Sequence, residues 1–401
     1  MDLKKKCLSD PVIKWVFSTV NKDIYLVGGY VRDIFAGRLS KDRDFVFKGD
    51  TKRLAGRTAN KFNGTVIELQ KDQTYRVALR DNGFVDFSKC LKDNIEEDLQ
   101  LRDFTLNAIA WSPHTGIIDP CRGIRDISGK LIRIIDPKNI KDDPLRILRA
   151  YRIASELQFK ISNTAAQYLQ RYSKLILRSA PERITEEVIR MLNCNNAADY
   201  IKLSWKHNVL VHVMGVSRLQ LNKNIKLIKR LETTMNVLDN SYKSRKLSLM
   251  LDHKFSQGLT IAGLIKLFLL TYSNFDNFCL LKKIKLSGKN YKKLQQIYNS
   301  SQSVKGMLTN SKLLKFFSAA DDSAYEAVVV LTIIRKRSDL MELINRAERY
   351  LKIKSSNLLN GDEIINILKI KSGPEIGEII DNIKQRQYEG LIRNKKDTQR
   401  I

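Results

Sequence analysis

IYLVGGYVRDIFAGRLSKDRDFVF, residues 24–47, contains two apolar strand patterns joined by a Gly-Gly turn and a short helical segment. Glycines at positions 28 and 29 permit positive φ and let a ligand approach the backbone closely. The helix that follows begins with free N–H groups, which suit a phosphate, and Arg32 adds a charged donor one turn later. Gly28, Gly29 and Arg32 therefore favour a phosphate site, although many β–α turns carry Gly-Gly without one.

Two aspartates, Asp42 and Asp44, follow about a dozen residues later in the second strand pattern. Side chains two residues apart on a strand point to the same face, so these carboxylates repel each other unless a cation lies between them. Such oxygen ligands suit Mg²⁺, which also takes phosphate oxygens and water. Such a pair alone can be structural or solvated, but its position after the Gly-Gly turn and helix favours a metal site, of the kind that could serve nucleotidyl transfer. Asp86, in the strand pattern FVDFS, either supplies a third catalytic carboxylate or faces solvent.

Basic residues dominate the composition, with 71 Lys and Arg against 43 Asp and Glu and a formal net charge of +28. This excess attracts polyanions, although a charge that only keeps the protein soluble would look the same. Residues 201–320 hold 21 of the basic residues and only 4 acidic ones. We expect this segment to bind RNA or DNA along basic helix faces, the alternative being a solvated surface. Four basic residues of this segment recur at helical spacing, Lys223, Lys226, Lys229 and Arg230. Three tyrosines could stack on bases, Tyr242, Tyr291 and Tyr298.

Strand and helix patterns predict an α+β fold: a mixed-sheet head followed by an all-helical neck, body and tail. Strands are expected at 24–27, 44–47, 64–69, 74–79, 83–87, near 117 and at 131–135, and a helix at 51–62. Strand patterns nearly vanish from Asp142 onward. The predicted domains are a head (1–138), a helical neck (139–200), a basic helical body (201–320) and a helical tail (321–401).

Nothing in the sequence predicts export or membrane insertion. The N-terminal residues lack the apolar core of a signal peptide, and the apolar run at 259–270 is interrupted by Lys266 and fits a buried helix. Scattered cysteines without a CxxC pair argue against a disulfide framework or a zinc site. We therefore expect a soluble cytoplasmic protein. The five cysteines are Cys7, Cys90, Cys121, Cys194 and Cys279.

Residues 24–47 resemble the signature of the class II tRNA nucleotidyltransferase and poly(A) polymerase group, within the DNA polymerase beta superfamily. Further resemblances follow in the order of that family and extend over nearly the whole chain. They are EEDLQLRDFTLNAIAW (96–111), IIDPCRGIRDISGKLIRII (117–135), DDPLRILRAYRIASELQF (142–159), APERITEEVIRML (180–192) and the C-terminal segment 360–392.

The resemblance implies a role for residues in each motif. Asp42 and Asp44 would hold the catalytic Mg²⁺, and the Gly-Gly turn with Arg32 would bind the triphosphate. Arg102 and Asp103 would contact the nucleotide, and Asp103 would recognise the ribose 2′-hydroxyl.

The fourth motif would supply the amino-acid template that reads the base, Asp143 and Arg146. A carboxylate accepts from the exocyclic amine of cytosine or adenine, and a guanidinium donates to the ring nitrogen. Arg149 and Arg152 would contact phosphate or brace the template. Asp143 before Pro144 is also the pattern of a helix N-cap followed by proline, and the two roles are compatible.

Three departures from the family pattern bear on activity. Leu101 replaces the first of two arginines in the second motif, and Asp142 stands where the family usually has Glu. Only SKCLKDNIEE (88–97) separates the strand pattern FVDF from the second motif, where complete CCA-adding members commonly carry a longer loop. The short interval favours a CC-adding enzyme.

The resulting hypothesis is a Mg²⁺-dependent enzyme that adds C, A or both to the 3′ end of tRNA from CTP and ATP. A separate A-adding enzyme would then complete an end left at CC. Alternatives are a complete CCA-adding or A-adding enzyme, a poly(A) polymerase, and, from another class, an inactive RNA-binding protein. With four histidines and no His-Asp pair, no HD phosphohydrolase domain is expected.

Overall fold

The Gly-Gly turn and the Asp-x-Asp strand lie in the middle of a mixed sheet in the computed structural model of this protein. The structure describes residues 3–80, 83–92, 94–214, 218–240, 244–272, 284–304, 306–355, 358–369 and 371–398. Tyr242 and Cys279 lie outside these ranges. The chain divides into two compact units, Met1–Met191 with Asp199–Gly215 and Leu192–Ala198 with Val216–Ile401.

Strands and helices alternate in the first third of the chain, and helices predominate after it. Up to residue 214 the elements are α1 (Leu3–Leu8), α2 (Pro11–Thr19), β1 (Ile24–Val27), α3 (Gly29–Phe35), β2 (Asp42–Phe47), α4 (Thr51–Phe62), β3 (Thr65–Gln70), β4 (Thr74–Ala78), β5 (Phe84–Lys89), α5 (Ile95–Gln100), β6 (Ala110–Ser112), β7 (Gly116–Ile118), α6 (Gly123–Ser128), β8 (Leu131–Ile132), α7 (Pro137–Asp142), α8 (Arg146–Leu157), β9 (Lys160–Ile161), α9 (Asn163–Arg171), α10 (Pro181–Leu192), α11 (Ala197–Lys206) and α12 (Val209–Met214).

The second unit is built mainly from helices. From residue 218 the elements are α13 (Arg218–Asp239), α14 (Arg245–Asp252), β10 (Lys254–Ser256), β11 (Leu259–Thr260), α15 (Ile261–Thr271), α16 (Gly288–Ser303), α17 (Asn310–Ala320), α18 (Ala324–Arg335), α19 (Leu340–Ser355), α20 (Gly361–Leu368), α21 (Glu375–Glu389) and α22 (Lys395–Thr398). No helix among the described residues is long and apolar enough to cross a membrane.

The large sheet has the strand order β3-β4-β5-β2-β1-β6-β7. Strand β2 pairs in parallel with β5, and the remaining neighbours are antiparallel. Buried apolar side chains of β1, β2 and α5, among them Val27, Val46 and Leu99, pack together in one cluster. The sheet therefore holds β2 between two partners, which fixes the direction of its alternate side chains.

The predicted mixed head and mostly helical remainder are confirmed, with differences in detail. Helix α4 has the predicted bounds, because Asp50 caps it by accepting from the Arg53 N–H at 2.8 Å. Strand β6 was not predicted, and the strand expected at 131–135 is formed only over Leu131–Ile132, followed by a single bridge between Ile134 and Phe104. The helical part also contains short pairings, β8 with β9 and β10 with β11, so it is not entirely helical.

The apolar run at 259–270 forms the buried helix α15 from Ile261 onward, as predicted, while Leu259 and Thr260 form β11. Lys266 is 1% exposed in α15, and its Nζ lies 3.0 Å from Oε1 of Glu232 on α13. A charge this deeply buried is tolerated only when it is paired. Oε1 of Glu232 also accepts from the Ala197 N–H at 2.7 Å, which ties the start of α11 to the same pair.

The predicted basic face of α13 is only partly exposed. Lys223, Lys226 and Lys229 are exposed. Arg230 instead donates from Nη1 to the carbonyl of Ile333 at 2.6 Å and links α13 to α18. Its guanidinium therefore contributes to packing within the second unit.

Candidate active site

Asp42 and Asp44 lie at the start of β2, where the predicted strand places them on one face. Asp42 is exposed and Asp44 is half-buried. In the register of the sheet Asp44 is opposite Val27 of β1 on one side and Asp86 of β5 on the other. Three carboxylates are thereby brought close together by strand pairing.

Burial of Asp44 raises its pKa from an ordinary value of 3.8 to about 7. The negative charges of Asp86 and Asp42 act in the same direction, whereas Arg102 and Arg76 oppose the rise. A carboxylate that is desolvated and crowded by like charges gains most from a bound cation. The electrostatics of β2 are therefore those of a cation site.

The Gly-Gly turn lies directly against this cluster. Gly28 has φ of +70° and donates its N–H to the Ile109 carbonyl at 3.1 Å. A Cβ at this position would lie 3.0 Å from Nη1 of Arg102 and 3.6 Å from Oδ2 of Asp44. Only glycine fits between these two side chains without strain, so the backbone of the turn faces both a guanidinium and a carboxylate.

Arg102 has an incomplete set of partners. Its Nη2 lies 3.8 Å from Oδ2 of Asp98, and its buried Nε has no hydrogen-bond acceptor among the described residues. A buried donor without an acceptor is uncommon in a folded protein. Nη1 of the same guanidinium lies 3.0 Å from the Cβ position of Gly28, so an anion bound at the turn would lie close to Arg102.

Arg32 of α3 is buried and held from two sides. Nε donates to Oδ1 of Asp33 at 2.8 Å, and Nη1 donates to Oδ1 of Asn107 at 2.9 Å. These bonds fix the guanidinium one turn inside the helix that begins at Gly29. Asn107, which the sequence analysis did not name as a site residue, therefore positions Arg32.

Asp103 is a buried acceptor at the junction of the head and α8. Oδ1 accepts from Nδ2 of Asn107 at 2.8 Å, and Oδ2 accepts from Nε of Arg149 at 2.8 Å. Burial acts to raise the pKa of Asp103, but Arg149 and the bond from Asn107 outweigh it and hold the pKa at about 2. Asp103 is thus a permanent anion that links the second and fourth motifs.

The two residues expected to read the base lie just before α8 and at its first turn. Arg146 donates from Nη1 to the carbonyls of Leu101 at 2.9 Å and Asn139 at 3.1 Å. Asp143 accepts from Nη2 of Arg183 on α10 at 3.0 Å. Helix α8 starts at Arg146 rather than directly after Asp143, although Oδ1 of Asp143 still accepts from the Leu145 N–H at 3.3 Å.

A chain of ion pairs connects α8 to α10. Arg152 donates from Nε to Oε2 of Glu187 at 2.7 Å, and from Nη1 to Oε2 of Glu156 at 2.8 Å. Arg149, besides binding Asp103, has its Nη1 3.8 Å from Oε1 of Glu187. Both arginines are thus engaged in bracing the helices of this unit.

Besides Asn107, three site residues were missed by the sequence analysis, and the signal for two of these three was present. Arg183 and Glu187 belong to the Glu-Arg-x-x-x-Glu pattern of 180–192, whose spacing puts them on one helix face. Arg76 of β4 forms two hydrogen bonds of 2.7 Å with Asp86. It had no signal, because only strand pairing brings β4 beside β5.

The donor set around β2 suits a metal that takes part of its shell from a substrate. Among the described residues, no group of three or more His, Cys, Asp or Glu is arranged to hold a metal ion. Asp42 and Asp44 are a pair of hard oxygen donors, and Mg²⁺ commonly binds one or two carboxylates together with phosphate oxygens and water. The residues present therefore fit Mg²⁺ with a bound triphosphate.

Gly28→Ala should impair nucleotide binding because the added Cβ is strained at φ +70° and crowds Arg102. We expect KM for the nucleotide to rise about tenfold, with tRNA binding unchanged, in steady-state extension assays. Gly37→Ala is the matched control, since Gly37 has φ of +72° and nothing within 4 Å of its Cβ position. Equal effects of both substitutions would show that backbone strain alone is responsible.

Asp44→Asn should stabilise the metal-free protein above neutral pH. Because the folded state raises the pKa from 3.8 to about 7, it binds the proton more tightly than the unfolded state, and stability declines as pH rises through that window. We expect D44N to have the higher Tm at about pH 8 in chelator, and the difference to shrink towards about pH 4. Glu96→Gln, on an exposed position of α5, is the control. An unchanged or lower Tm of D44N at the higher pH would contradict the argument.

Three family models match successive parts of the chain. They describe the poly A polymerase head domain (residues 24–133), an RNA- and SrmB-binding site of polymerase A (158–215) and tRNA nucleotidyltransferase domain 2 (260–399). The first covers the Gly-Gly turn, the Asp-x-Asp strand and the second motif. The order of the models agrees with the order of the motifs.

Curated relatives match the chain over nearly its whole length. A CC-adding tRNA nucleotidyltransferase of Synechocystis is 27% identical over 391 residues, with 93% of this chain and 91% of the relative covered. A CC-adding tRNA nucleotidyltransferase of Geobacter sulfurreducens is 27% identical, with 94% and 90% covered. The solved structure of the Bacillus stearothermophilus CCA-adding enzyme with CTP matches at a TM-score of 0.73 and 22% identity, covering 97% of this chain and 95% of that one.

The sheet, its aspartate strand and these matches together define a nucleotidyltransferase. The Bacillus structure confirms the fold, and the family models and relatives confirm the resemblance seen in the motifs. The chain thus carries a poly A polymerase head domain and a tRNA nucleotidyltransferase domain, in the order in which the motifs occur.

Proposed function

We propose that this protein extends the 3′ end of tRNA by adding the C residues of the CCA terminus from CTP. The observation that carries the proposal is the position of the aspartate pair on β2. Asp44 and Arg102 both lie next to the turn at Gly28. The terminal 3′-hydroxyl of the tRNA attacks the α-phosphorus of the nucleotide, the new O–P bond forms, and pyrophosphate leaves. No protein-bound intermediate is needed, so the residues act by positioning and electrostatics.

Asp42 and Asp44 would hold Mg²⁺, the cofactor that the donor set fits. Bound there, Mg²⁺ supplies positive charge to the attacking hydroxyl and to the oxygens of the triphosphate. Arg102 and Arg32 lie beside the turn, and their positive charges would stabilise the phosphates. The N–H groups at the start of α3, beginning at Gly29, face the same region.

Base selection is assigned to Asp143 and Arg146. Asp143 is half-buried and accepts from the exocyclic amine of the base, replacing the bonds it receives from Arg183. Arg146 is held in place by two backbone carbonyls, and uracil would leave this donor–acceptor pair mismatched. Arg149 and Arg152 brace the template through Asp103 and Glu187, and Asp103 lies at the ribose end of the nucleotide.

Addition of CC is favoured over the complete CCA by two independent features. The interval 88–97 before the second motif is short: residues 88–89 end β5, and residues 95–97 begin α5. The two relatives described above are CC-adding enzymes. A separate A-adding enzyme would then finish the end.

Recognition of the tRNA body is assigned to the second unit. Exposed lysines of α13 and the exposed Tyr291 of α16 suit an RNA backbone and unstacked bases. The predicted division into neck (139–200), body (201–320) and tail (321–401) is retained as part of this proposal. Such an enzyme acts where tRNA is processed, which points to the cytoplasm.

Single-nucleotide extension with purified protein and Mg²⁺ tests the proposal. Three tRNA transcripts, ending at the discriminator base, after one C and after CC, are each given CTP alone, ATP alone or both. Two C additions without A support the CC-adding function. Completion to CCA, addition of A only to the CC end, or long A tracts would identify the complete enzyme, the A-adding enzyme or the poly(A) polymerase instead. No incorporation at all would favour the inactive RNA-binding alternative.

A further inference from the structure

Arg76 binds one of the three clustered carboxylates at both of its oxygens. Its Nε donates to Oδ1 of Asp86 and its Nη2 to Oδ2, each at 2.7 Å. A guanidinium and a carboxylate joined by two parallel bonds form a strong and directional pair. Asp86 is thus fully engaged in the structure, unlike Asp42, which is exposed.

Strand register explains how Arg76 reaches the site. Arg76 of β4 is opposite Asp86 of β5, and Asp86 is opposite Asp44 of β2. Residues opposite each other on adjacent strands point to the same side of a sheet, so the three side chains form a row on one face. Asp42, two residues before Asp44, shares that face.

The charge of Arg76 acts on the whole row. The hydrogen bond with Asp86 raises the pKa of Arg76 most, burial opposes the rise, and the charges of Asp86, Asp44 and Asp42 raise it further. The Arg76 side chain is 35% exposed and its guanidinium lies 4.9 Å from the ring centre of Phe84, which gives it a fixed direction. Arg76 therefore supplies a built-in positive charge to a cluster that would otherwise repel itself.

We propose that Arg76 is a positioning residue that neutralises Asp86 and keeps it from binding metal, so that Asp42 and Asp44 alone provide carboxylate ligands. The inference rests on the proposed metal site. It assigns Asp86 the role of an anchor for Arg76 rather than of a third catalytic carboxylate. Without Arg76, three unpaired carboxylates would share one face, which weakens the metal-free fold and strengthens cation binding.

Arg76→Gln tests the inference by metal binding and by stability, which need no catalysis. We expect the Tm in chelator to fall, and the affinity for Mn²⁺ or Mg²⁺ without substrate to rise about tenfold, measured by calorimetry and thermal shift. The double variant R76Q/D86N removes the released carboxylate and should restore both values towards wild type. R76K keeps the charge and should recover most of the Tm. Arg53→Gln, at an exposed position of α4, is the matched control.

These measurements test the role of Arg76 separately from the existence of the metal site. If D42N loses the metal response, the metal site at Asp42 is supported. The role of Arg76 is tested separately, by the difference in metal response between R76Q and wild type. Equal metal responses of R76Q and wild type, including no response in either, would overturn the inference. Weaker metal binding in R76Q would overturn it too, because Arg76 would then be presenting Asp86 as a ligand.

Discussion

Asp42→Asn should abolish nucleotide incorporation while leaving the fold and tRNA binding in place. The side chain is exposed and the substitution is isosteric, so little packing is lost. It removes one of the two carboxylates proposed to hold the metal, whose charge would contribute several kcal/mol to the transition state, so we expect kcat to fall about a thousandfold. Single-turnover extension measures the rate, and a filter-binding assay measures the affinity for tRNA.

The control for Asp42→Asn is Glu96→Gln, which makes the same change of charge at an exposed position in the same unit. E96Q should extend tRNA at the wild-type rate. If D42N retained full activity, or lost tRNA binding together with activity at an unchanged Tm, the assignment of the metal site would be wrong.

Asp143→Ala should cause the largest change in base selectivity. Loss of the carboxylate removes the acceptor for the exocyclic amine of cytosine, an interaction that uracil cannot make. We expect the ratio of kcat/KM for CTP over UTP to fall about a hundredfold, mainly through slower incorporation of CTP. The Tm should change little, because the pair between Asp143 and Arg183 is well exposed, at 31% and 54% of the two side chains.

Arg183→Gln distinguishes base recognition from the loss of this ion pair. It breaks the same pair but keeps the Asp143 carboxylate, so the preference for CTP over UTP should be largely retained. If R183Q loses selectivity to the same extent as D143A, Asp143 acts by orienting α10 rather than by contacting the base.

The strand with Asp42 and Asp44 and the preceding turn could be predicted from the sequence because their signals are local. Two aspartates two residues apart share a face in any strand, and Gly-Gly before a helix permits the same turn in many folds. The bounds of β1 and α4 agreed with the prediction for the same reason, since apolar alternation and an Asp cap lie within the elements themselves. The ordered motifs identified the family, which the family models confirm.

The partners of the site residues depend on contacts between distant parts of the chain. Arg149 was expected near phosphate or the template, and the structure pairs it with Asp103, 46 positions earlier. Arg230 was expected on a basic, RNA-binding helix face, yet it donates to Ile333, 103 positions later. No pattern within a helix or strand reports such pairings, because they are set by how the elements pack.

The sequence by itself determined the family, the mixed head with a mostly helical remainder, and the residue types at the site, since periodicity and motif spacing are properties of the chain. Only the tertiary structure decided which charges face each other. The parallel pairing of β2 with β5 places Asp44 beside Asp86, and the antiparallel pairing of β4 brings Arg76 to the same row. Strand register is fixed by burial of the alternate side chains across the whole sheet, so the balance of charge at the metal site is a consequence of the fold.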